Sequence, residues 1–284
     1  MVNESYIFNA PKHQTTCVVF SSPHSGCNYS ESFLKNSLLA SPQIRASEDA
    51  FVDDLFSCVT NFGASLLAAV APRAYVDLNR HPDELDSAAI SGITRGLTNA
   101  RILSGLGVIP RVVARGSIIQ SGKMSMEQAL ERLDTVYYPY HQKLKKVINQ
   151  TYLIFGKSIL IDCHSMPCRA TSHIVVGESR GPDVILGDRF GASCSKNITD
   201  QVENAFINQG FTVSRNIPFS GAYILQNYGC PSLNQHAIQI EINRSLYMIE
   251  ETVEKSEKYH SIRNRLQKVV EELVLIGKKK IYTT

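Results

Sequence analysis

The 284-residue sequence lacks a strong charge imbalance, long apolar runs and closely paired cysteines. Its 29 Lys and Arg residues against 26 Asp and Glu residues leave a formal net charge of +3, which gives no electrostatic case for nucleic acid or an anionic membrane as a partner. Disorder is excluded because 43 % of the residues are apolar and the net charge is small. The longest apolar runs, such as 66–71, are far shorter than a membrane span.

The seven cysteines are odd in number, widely dispersed and without a CxxC pair. This pattern predicts no disulfide framework and favours a reducing compartment. The first twenty residues lack the basic start and apolar core of a secretory signal. We therefore expect a soluble cytoplasmic protein.

Strand-like and helix-like segments alternate along the chain without a repeat or a long linker, which predicts one domain over residues 1–284. Helices between strands favour a single three-layer α/β/α domain with a mixed, mostly parallel sheet. Strands are predicted at 17–22, within 64–79 (one or two), and at 158–163, 173–177, 183–187, 212–216 and 237–243; helices are predicted at about 47–61, 127–150, 190–209 and 249–276.

Two of the apolar strands run directly into a histidine. CVVFSSPHSG leads to His24, and SILIDCHSMP leads to His164. Ligands of α/β sheets bind beyond the carboxyl ends of the strands, so two neutral imidazoles could converge there on one metal ion. The alternative is two unrelated loop histidines. Asp162 points the same way as His164 and either acts near the site or orients a ligand.

A catalytic zinc site needs a third ligand, either a carboxylate or another histidine. The acidic cluster around Glu48, Asp49, Asp53 and Asp54 opens a predicted helix, and Asp49 and Asp53 would share one helix face. The alternative is that these acids only complement the helix dipole.

Glu241 lies within the apolar strand AIQIEIN, where isoleucines alternate with Gln239, Glu241 and Asn243. A buried glutamate is costly unless it is paired or has a function. With a raised pKa it would suit general-base duty on a water molecule at a metal site. The alternative is a half-exposed strand with one solvated face.

The segment APRAYVDLNR carries Arg73, Asp77, Asn79 and Arg80 close together. Two arginines and an amide near one strand end are typical of a carboxylate clamp with an oxyanion donor, since guanidinium binds carboxylate through paired hydrogen bonds. Structural salt bridges to nearby aspartates are the alternative.

The chain carries eight notable sequence blocks over about residues 17–248: SSPHSG, SEDAFVDDLF, PRAYVDLNR, YYPYHQKL, LIDCHSMP, LGDRFG, NIPFSGAY and IQIEINRSLYM. Together, and in the expected order, these blocks resemble the N-formylglutamate amidohydrolase family. The resemblance implies a three-layer α/β/α fold related to zinc carboxypeptidases and aspartoacylases, one catalytic zinc ion, and hydrolysis of N-formyl-L-glutamate to formate and L-glutamate.

The same resemblance implies a set of zinc ligands. His24 and His164 would be two of them, and Asp49 is the expected third, with Asp53 as its rival. The carboxypeptidase relatives place their acidic ligand three residues after the first histidine, where this chain has Cys27. A zinc-binding role for Cys27 therefore stays open, although a lone cysteine is more often a small buried residue.

The catalytic and substrate-binding roles follow from the resemblance in the same way. Glu241 would be the general base and acid. Arg73 would stabilise the oxyanion of the tetrahedral intermediate, and Asn79 with Arg80 would grip the α-carboxylate of the substrate.

Two further residues would belong to the pocket by the same resemblance. His141, next to Tyr140 on a helix, would line it, and Arg215 would reach the distal carboxylate of a glutamate side chain. The expected partner is a small N-acyl amino acid; nucleic acid and membrane are not expected, and the oligomeric state is open. The alternatives are another N-acyl amino acid or peptide substrate, a degenerate member that binds a carboxylate without catalysis, and a purely structural interaction protein.

Overall fold

A seven-stranded mixed sheet forms the centre of the fold in the computed structural model, which describes residues 5–93, 99–176 and 179–278. The strands are β1 (Tyr6–Asn9), β2 (Val18–Ser22), β3 (Ser65–Ala69), β4 (Ser158–Met166), β5 (Val175–Val176), β6 (Ser179–Arg180), β7 (Val184–Gly187), β8 (Val213–Arg215), β9 (Gln235–Asn243), β10 (Met248–Ile249) and β11 (Glu254–Lys255). The large sheet has the order β1-β3-β2-β4-β9-β7-β8, and β5–β6 and β10–β11 form separate small hairpins.

Strands β3, β2, β4 and β9 are parallel to one another, and β7 pairs in parallel with β8. The β1–β3 and β7–β9 pairs are antiparallel. The expected mixed, mostly parallel sheet is therefore confirmed. Its four parallel central strands bring their carboxyl ends to one edge.

Helices cover both faces of this sheet. They are α1 (Glu31–Lys35), α2 (Val52–Leu55), α3 (Ala100–Leu103), α4 (Met126–Arg132), α5 (Tyr138–Phe155), α6 (Lys196–Asn208), α7 (Tyr223–Tyr228) and α8 (Tyr259–Ile276). A π-helical turn, Leu133–Tyr137, joins α4 to α5. Among the described residues, no helix combines the length and the apolar character needed to cross a bilayer.

Alternating side chains of the central strands divide the core into two layers. Phe20, Ile161 and Ile240 belong to a buried cluster with side chains of α2, α6 and α8. Val19 and Leu160 point the other way and pack with side chains of α5 and α7. The period of two along each strand therefore places apolar residues on both faces and confirms the α/β class.

The strand predictions failed mainly after β3. Of residues 64–79, only Ser65–Ala69 form a strand, because the chain then turns: the carbonyl of Pro72 accepts the N–H of Tyr75, and Asp77 Oδ1 accepts the N–H of Asn79. The predicted strand 173–177 is only the short hairpin strand β5, and its last residue lies outside the described residues. The edge strand β1 was not predicted.

Three of the observed helical segments differ from the predicted helices in where they begin or in whether they are continuous. The segment 47–61 is not one helix, because Phe51 has a φ of 66° and separates a 3-10 turn from the short α2. Helix α6 begins only at Lys196, and α8 begins at Tyr259 after the β10–β11 hairpin. The predicted helix 127–150 is found as the continuous helical run from α4 to α5.

Candidate active site

A polar site lies where β2, β4 and β9 end. The strand register places Ser21 beside Asp162, Asp162 beside Gln239, and His164 beside Glu241. The intervening apolar residues of these strands point into the opposite core layer. A cavity of about 450 Å³ opens above the polar residues and is walled by the loops around residues 71–80, 101–114 and 218–222. This is the position at which α/β sheets usually bind ligands.

Three buried side chains converge at the base of this cavity. Asp49 Oδ2 lies 3.4 Å from His24 Nδ1 and 3.0 Å from His164 Nδ1. The potential ligand atoms of these residues all lie within 4.8 Å of one another. The backbone helps to position Asp49, because its N–H donates to the carbonyl of His24 at 2.9 Å. Two imidazoles and one carboxylate form a ligand set known from catalytic zinc sites.

The second nitrogen of each imidazole contacts another buried carboxylate. His24 Nε2 lies 2.7 Å from Asp77 Oδ1, and His164 Nε2 lies 2.8 Å from Asp162 Oδ2. Such contacts favour a proton on Nε2, so Nδ1 is the nitrogen of each ring that can coordinate a metal ion; at His164 this would replace the Nδ1 hydrogen bond to Asp49. His24 Nδ1 has no hydrogen-bond partner among the described residues. The residues therefore fit a divalent metal, and Asp162 has the geometry of a residue that orients a ligand.

The rival third ligands lie outside this cluster. Asp53 is in the first turn of α2, and Cys27 is exposed; neither belongs to the His24, Asp49 and His164 group. All seven cysteines are free thiols, as expected for a chain without a disulfide framework. The geometry thus favours Asp49 as the residue that completes the set.

Asp49 is held as a carboxylate although it is only 1 % exposed. Burial alone would raise its pKa, but the hydrogen bond with His164 and the positive charges of His164 and His24 keep the pKa well below the usual range. Its other oxygen, Oδ1, accepts hydrogen bonds from Arg244 Nη2 at 3.0 Å and Ser165 Oγ at 3.2 Å. Arg244, which the sequence reasoning did not single out, therefore anchors the carboxylate from the side opposite the histidines.

Glu241 lines the cavity from β9 and is 8 % exposed. Gln239 Nε2 donates to Glu241 Oε1 at 2.8 Å. Burial raises the pKa of Glu241 to about 7, even though the positive charges of His164, Arg73 and Arg244 oppose the shift. A carboxyl group with this pKa exchanges a proton readily near neutral pH, as a general base must.

Asp77 binds the residues of the 72–80 turn together. Arg73 Nε donates to Asp77 Oδ2 at 3.0 Å, and Arg80 Nη2 lies 3.8 Å from the same oxygen. Burial opposes the charge of Asp77, but Arg73 and Arg80 hold its pKa well below the usual range. Both arginines also line the cavity, so the salt bridges and the proposed site use the same residues.

Asn79 lies between His164 and α7. Its Oδ1 accepts the backbone N–H of Ile224 at 2.8 Å, and its Nδ2 lies 3.3 Å from His164 Nε2. The side chain also lines the cavity. Its orientation is set by the chain itself before any substrate binds.

The prediction that His141 lines the pocket is wrong. The residue lies on helix α5 as expected, but its Nδ1 is 2.9 Å from Tyr228 Oη and its Nε2 is 2.9 Å from the carbonyl of Leu78. Burial lowers its pKa to about 4, so the ring is neutral at pH 7. His141 therefore supports the backbone just before Asn79 from behind the cavity wall.

The prediction for Arg215 is also wrong. Arg215 lies on the edge strand β8 and does not line the cavity. Its Nη2 forms ion pairs with Glu203 and with Asp200 Oδ1, at 2.9 Å from the latter, and both acids belong to α6. The guanidinium is thus held by the helix that covers the edge of the sheet, two strands away from β9.

One further arginine of the cavity was missed. Arg101 lies on the four-residue helix α3 and lines the cavity. No strand end or periodic pattern marks this position in the sequence. Arg244, by contrast, directly follows the polar face of β9, and this proximity could have identified it.

Comparisons with known proteins agree with the family that the sequence blocks resemble. A family model described as N-formylglutamate amidohydrolase matches residues 16–248. N-formylglutamate deformylase of Pseudomonas putida is 30 % identical over 235 residues, which cover 82 % of this chain and 82 % of that protein. The deformylase of Pseudomonas aeruginosa is 27 % identical over 267 residues, covering 93 % of this chain and 94 % of that protein.

The fold agrees as well. The crystal structure of N-formylglutamate amidohydrolase from Ralstonia eutropha superimposes with a TM-score of 0.89 and 31 % sequence identity, covering 96 % of this chain and 98 % of that one. Residues 16–248, which the family model matches, include every strand and loop that builds the cavity. The chain therefore belongs to the N-formylglutamate amidohydrolase family, a family of amide hydrolases.

Proposed function

We propose that this protein hydrolyses the formyl amide of N-formyl-L-glutamate to formate and L-glutamate, with one zinc ion bound by His24, Asp49 and His164. The observation that carries the proposal is the pair of imidazole Nδ1 atoms facing one oxygen of Asp49, with a carboxylate on the far side of each ring. Glu241 lines the same cavity. The deformylase names of the relatives support the choice of substrate.

Glu241 supplies the proton transfers of the reaction. A divalent metal held by His24, Asp49 and His164 would supply Lewis-acid polarisation of the formyl carbonyl and would make water more acidic. Glu241 accepts the proton of the attacking water and passes it to the leaving nitrogen, so the glutamate amine departs without becoming an anion. Its raised pKa of about 7 suits both the acceptance and the return of that proton.

Arginines bind the charges of the substrate and of the transition state. Arg80 and Asn79 hold the α-carboxylate and orient the formyl group toward Glu241. Arg73 interacts with the negative charge that develops on the formyl oxygen. Its ion pair with Asp77 fixes it before the reaction begins, so little reorganisation is needed.

Metal analysis combined with formate release tests the proposal directly. The purified protein is expected to contain about one zinc ion per chain, as a single ligand cluster requires, and to release formate from N-formyl-L-glutamate. A panel of formyl, acetyl and formimino amino acids identifies the preferred acyl group. Bound metal without turnover of any of them would instead identify a non-catalytic binding member.

Substitution of Arg73 by glutamine is expected to lower kcat by about 10²- to 10³-fold, because an oxyanion donor acts mainly in the transition state. The KM for N-formyl-L-glutamate should change little. Arg215→Gln is the matched control, since Arg215 lies outside the cavity. An effect of Arg73→Gln confined to KM would argue against the oxyanion role and for ground-state binding.

Protonation of Glu241 should reduce kcat/KM as the pH falls. Because its pKa is raised to about 7 in the metal-free protein, the base form is lost below that pH. A bound cation lowers the pKa of Glu241 further. The fall of kcat/KM at low pH is therefore expected at or below about pH 7. The rate should be measured between pH 5 and 9 with the metal content checked at each pH. A rate that rises as the pH falls from 7 to 5 would contradict the role of Glu241 as a base.

A further inference from the structure

Four arginines line the cavity, and three of them are held by acceptors of the chain itself. Arg73 donates to Asp77, and Arg244 donates to Asp49 and Ser165. Arg80 donates through Nε to the carbonyl of Leu106 at 3.0 Å and through Nη1 to its neighbour's carbonyl at 2.8 Å. These three guanidinium groups are therefore positioned before a substrate arrives.

Arg101 is the exception. Its side chain is exposed at the cavity, and it forms no ion pair or side-chain hydrogen bond within the described part of the chain. The backbone beneath it is nevertheless well positioned. Asn99 Oδ1 accepts the N–H of Ile102 at 2.9 Å, and Asn99 Nδ2 donates to Glu84 Oε2 at 3.2 Å. The backbone of α3 thus holds Arg101 at the cavity, where its guanidinium, without a partner among the described residues, is suited to binding an anion.

Arg101 and Arg80 belong to the same wall of the cavity. The N–H of Leu106 donates to the carbonyl of Arg101 at 2.8 Å, and the carbonyl of Leu106 accepts from Arg80. Burial and the nearby charges of Arg73 and Arg101 lower the pKa of Arg80, although Asp77 opposes this shift. The two cations are thus close enough to repel each other, and an anion bound at this wall relieves that repulsion.

The charge of the cavity suits a substrate with two carboxylates. Four arginines face only three carboxylates (Asp49, Asp77 and Glu241), so positive charge is in excess before any metal binds. An N-formyl amino acid with a neutral side chain brings one carboxylate, which Arg80 can bind. An acidic side chain brings a second carboxylate, for which Arg101 is the unpaired partner.

We propose that Arg101 binds the side-chain carboxylate of the substrate and so selects N-formyl amino acids with an acidic side chain. This assignment rests on the proposed function and replaces the sequence-based one for Arg215. The contact is a charge-assisted hydrogen bond made with both the substrate and the transition state. Its loss should therefore reduce kcat/KM for an acidic substrate without altering the chemistry at the formyl group.

The test compares N-formyl-L-glutamate with its neutral isostere N-formyl-L-glutamine in zinc-loaded wild type, Arg101→Gln and Arg101→Lys. In Arg101→Gln, kcat/KM for the glutamate substrate is expected to fall about 10- to 100-fold. For the glutamine substrate it should change less than about threefold, because its neutral amide forms no ion pair with Arg101 and can hydrogen-bond to an arginine or a glutamine side chain. Arg101→Lys should keep part of the preference for the glutamate substrate, because lysine keeps the positive charge but lacks the planar guanidinium that forms paired hydrogen bonds. Arg215→Gln is the matched control and should keep the full preference.

An equal loss on both substrates, or an unchanged preference in Arg101→Gln, overturns the proposal. So does a wild type that does not discriminate between the two. Should the wild type release formate from neither compound, the proposed function fails, and the assignment of Arg101 is then decided by calorimetric binding of L-glutamate and L-glutamine. Tighter binding of glutamate that disappears in Arg101→Gln supports it, and equal binding overturns it. Thermal unfolding of each variant shows whether the exposed substitution has altered the fold.

Discussion

Substitution of Glu241 by glutamine is expected to lower kcat for N-formyl-L-glutamate by at least about 10³-fold while one zinc ion stays bound. General acid–base catalysis contributes about 10²- to 10⁴-fold, and Glu241 is assigned both proton transfers. Glutamine has nearly the same shape, and its Oε1 still accepts the hydrogen bond from Gln239. The variant therefore removes the proton acceptor and leaves the wall of the cavity in place. Formate release and metal content, measured on the same preparation, check this expectation.

Unfolding does not account for such a loss. The pKa of Glu241 is raised from 4.5 to about 7 in the folded chain, so keeping this carboxyl ionised destabilises the metal-free fold above that pH. At pH 8 the metal-free Glu241→Gln variant should thus unfold at a temperature no lower than wild type. Glu127→Gln, an exposed substitution on α4 with the same change in charge, is the matched control. Near-normal turnover in Glu241→Gln, or loss of zinc together with activity, would contradict the assignment.

The residues at strand ends could be predicted because a strand imposes a period of two. In β4 and β9 every second residue is apolar and buried in one core layer, which leaves Asp162, His164 and Glu241 on the other face. Parallel pairing then places them side by side at the carboxyl edge. His24 follows from the same rule applied to β2 and the turn after it.

Loop residues did not follow from any such period. Asp77 contacts Arg73 and Asn79 within the turn after β3, but it also contacts His24, which comes from the distant loop after β2. Arg215 was assigned to the pocket from its place before a sequence block, but acids on α6 hold it at the sheet edge. The contact of Asp77 with His24 and the contacts of Arg215 with α6 are not encoded in local spacing, because each depends on how separate segments pack.

The choice between Asp49 and Asp53 shows how local geometry decides a site. A continuous helix over 47–61 would place both acids on one face, as their spacing suggested. The left-handed backbone at Phe51, with φ of 66°, ends that continuity. Asp49 lies before the break and contacts both histidines, whereas Asp53 lies after it and is not part of their cluster. Bulky residues rarely adopt a positive φ, so the sequence did not favour a break at this phenylalanine.

Substitution of Asp49 by asparagine is expected to lower zinc affinity by at least about 10²-fold and to abolish formate release at stoichiometric zinc. Loss of a residue that only orients a ligand costs about 10- to 100-fold in affinity, and a direct ligand should cost more. Asparagine keeps an oxygen for the hydrogen bond from Arg244, so the buried guanidinium stays paired while the negative charge between the imidazoles is lost. Zinc titration with a competing chelator, followed by the activity of the same samples, measures both effects.

Asp53→Asn is the decisive control, because Asp53 has the same chemistry and lies only four residues away. It should bind zinc as wild type does and keep near-normal kcat. Weakened zinc binding in Asp53→Asn but not in Asp49→Asn would identify Asp53 as the third ligand. Unchanged zinc binding in both variants would show that neither carboxylate is a ligand. With wild-type protein, chelation should abolish turnover and added zinc should restore it. Since Asp49 Oδ2 faces both imidazole Nδ1 atoms, it alone of the two acids can join both histidines in binding one ion.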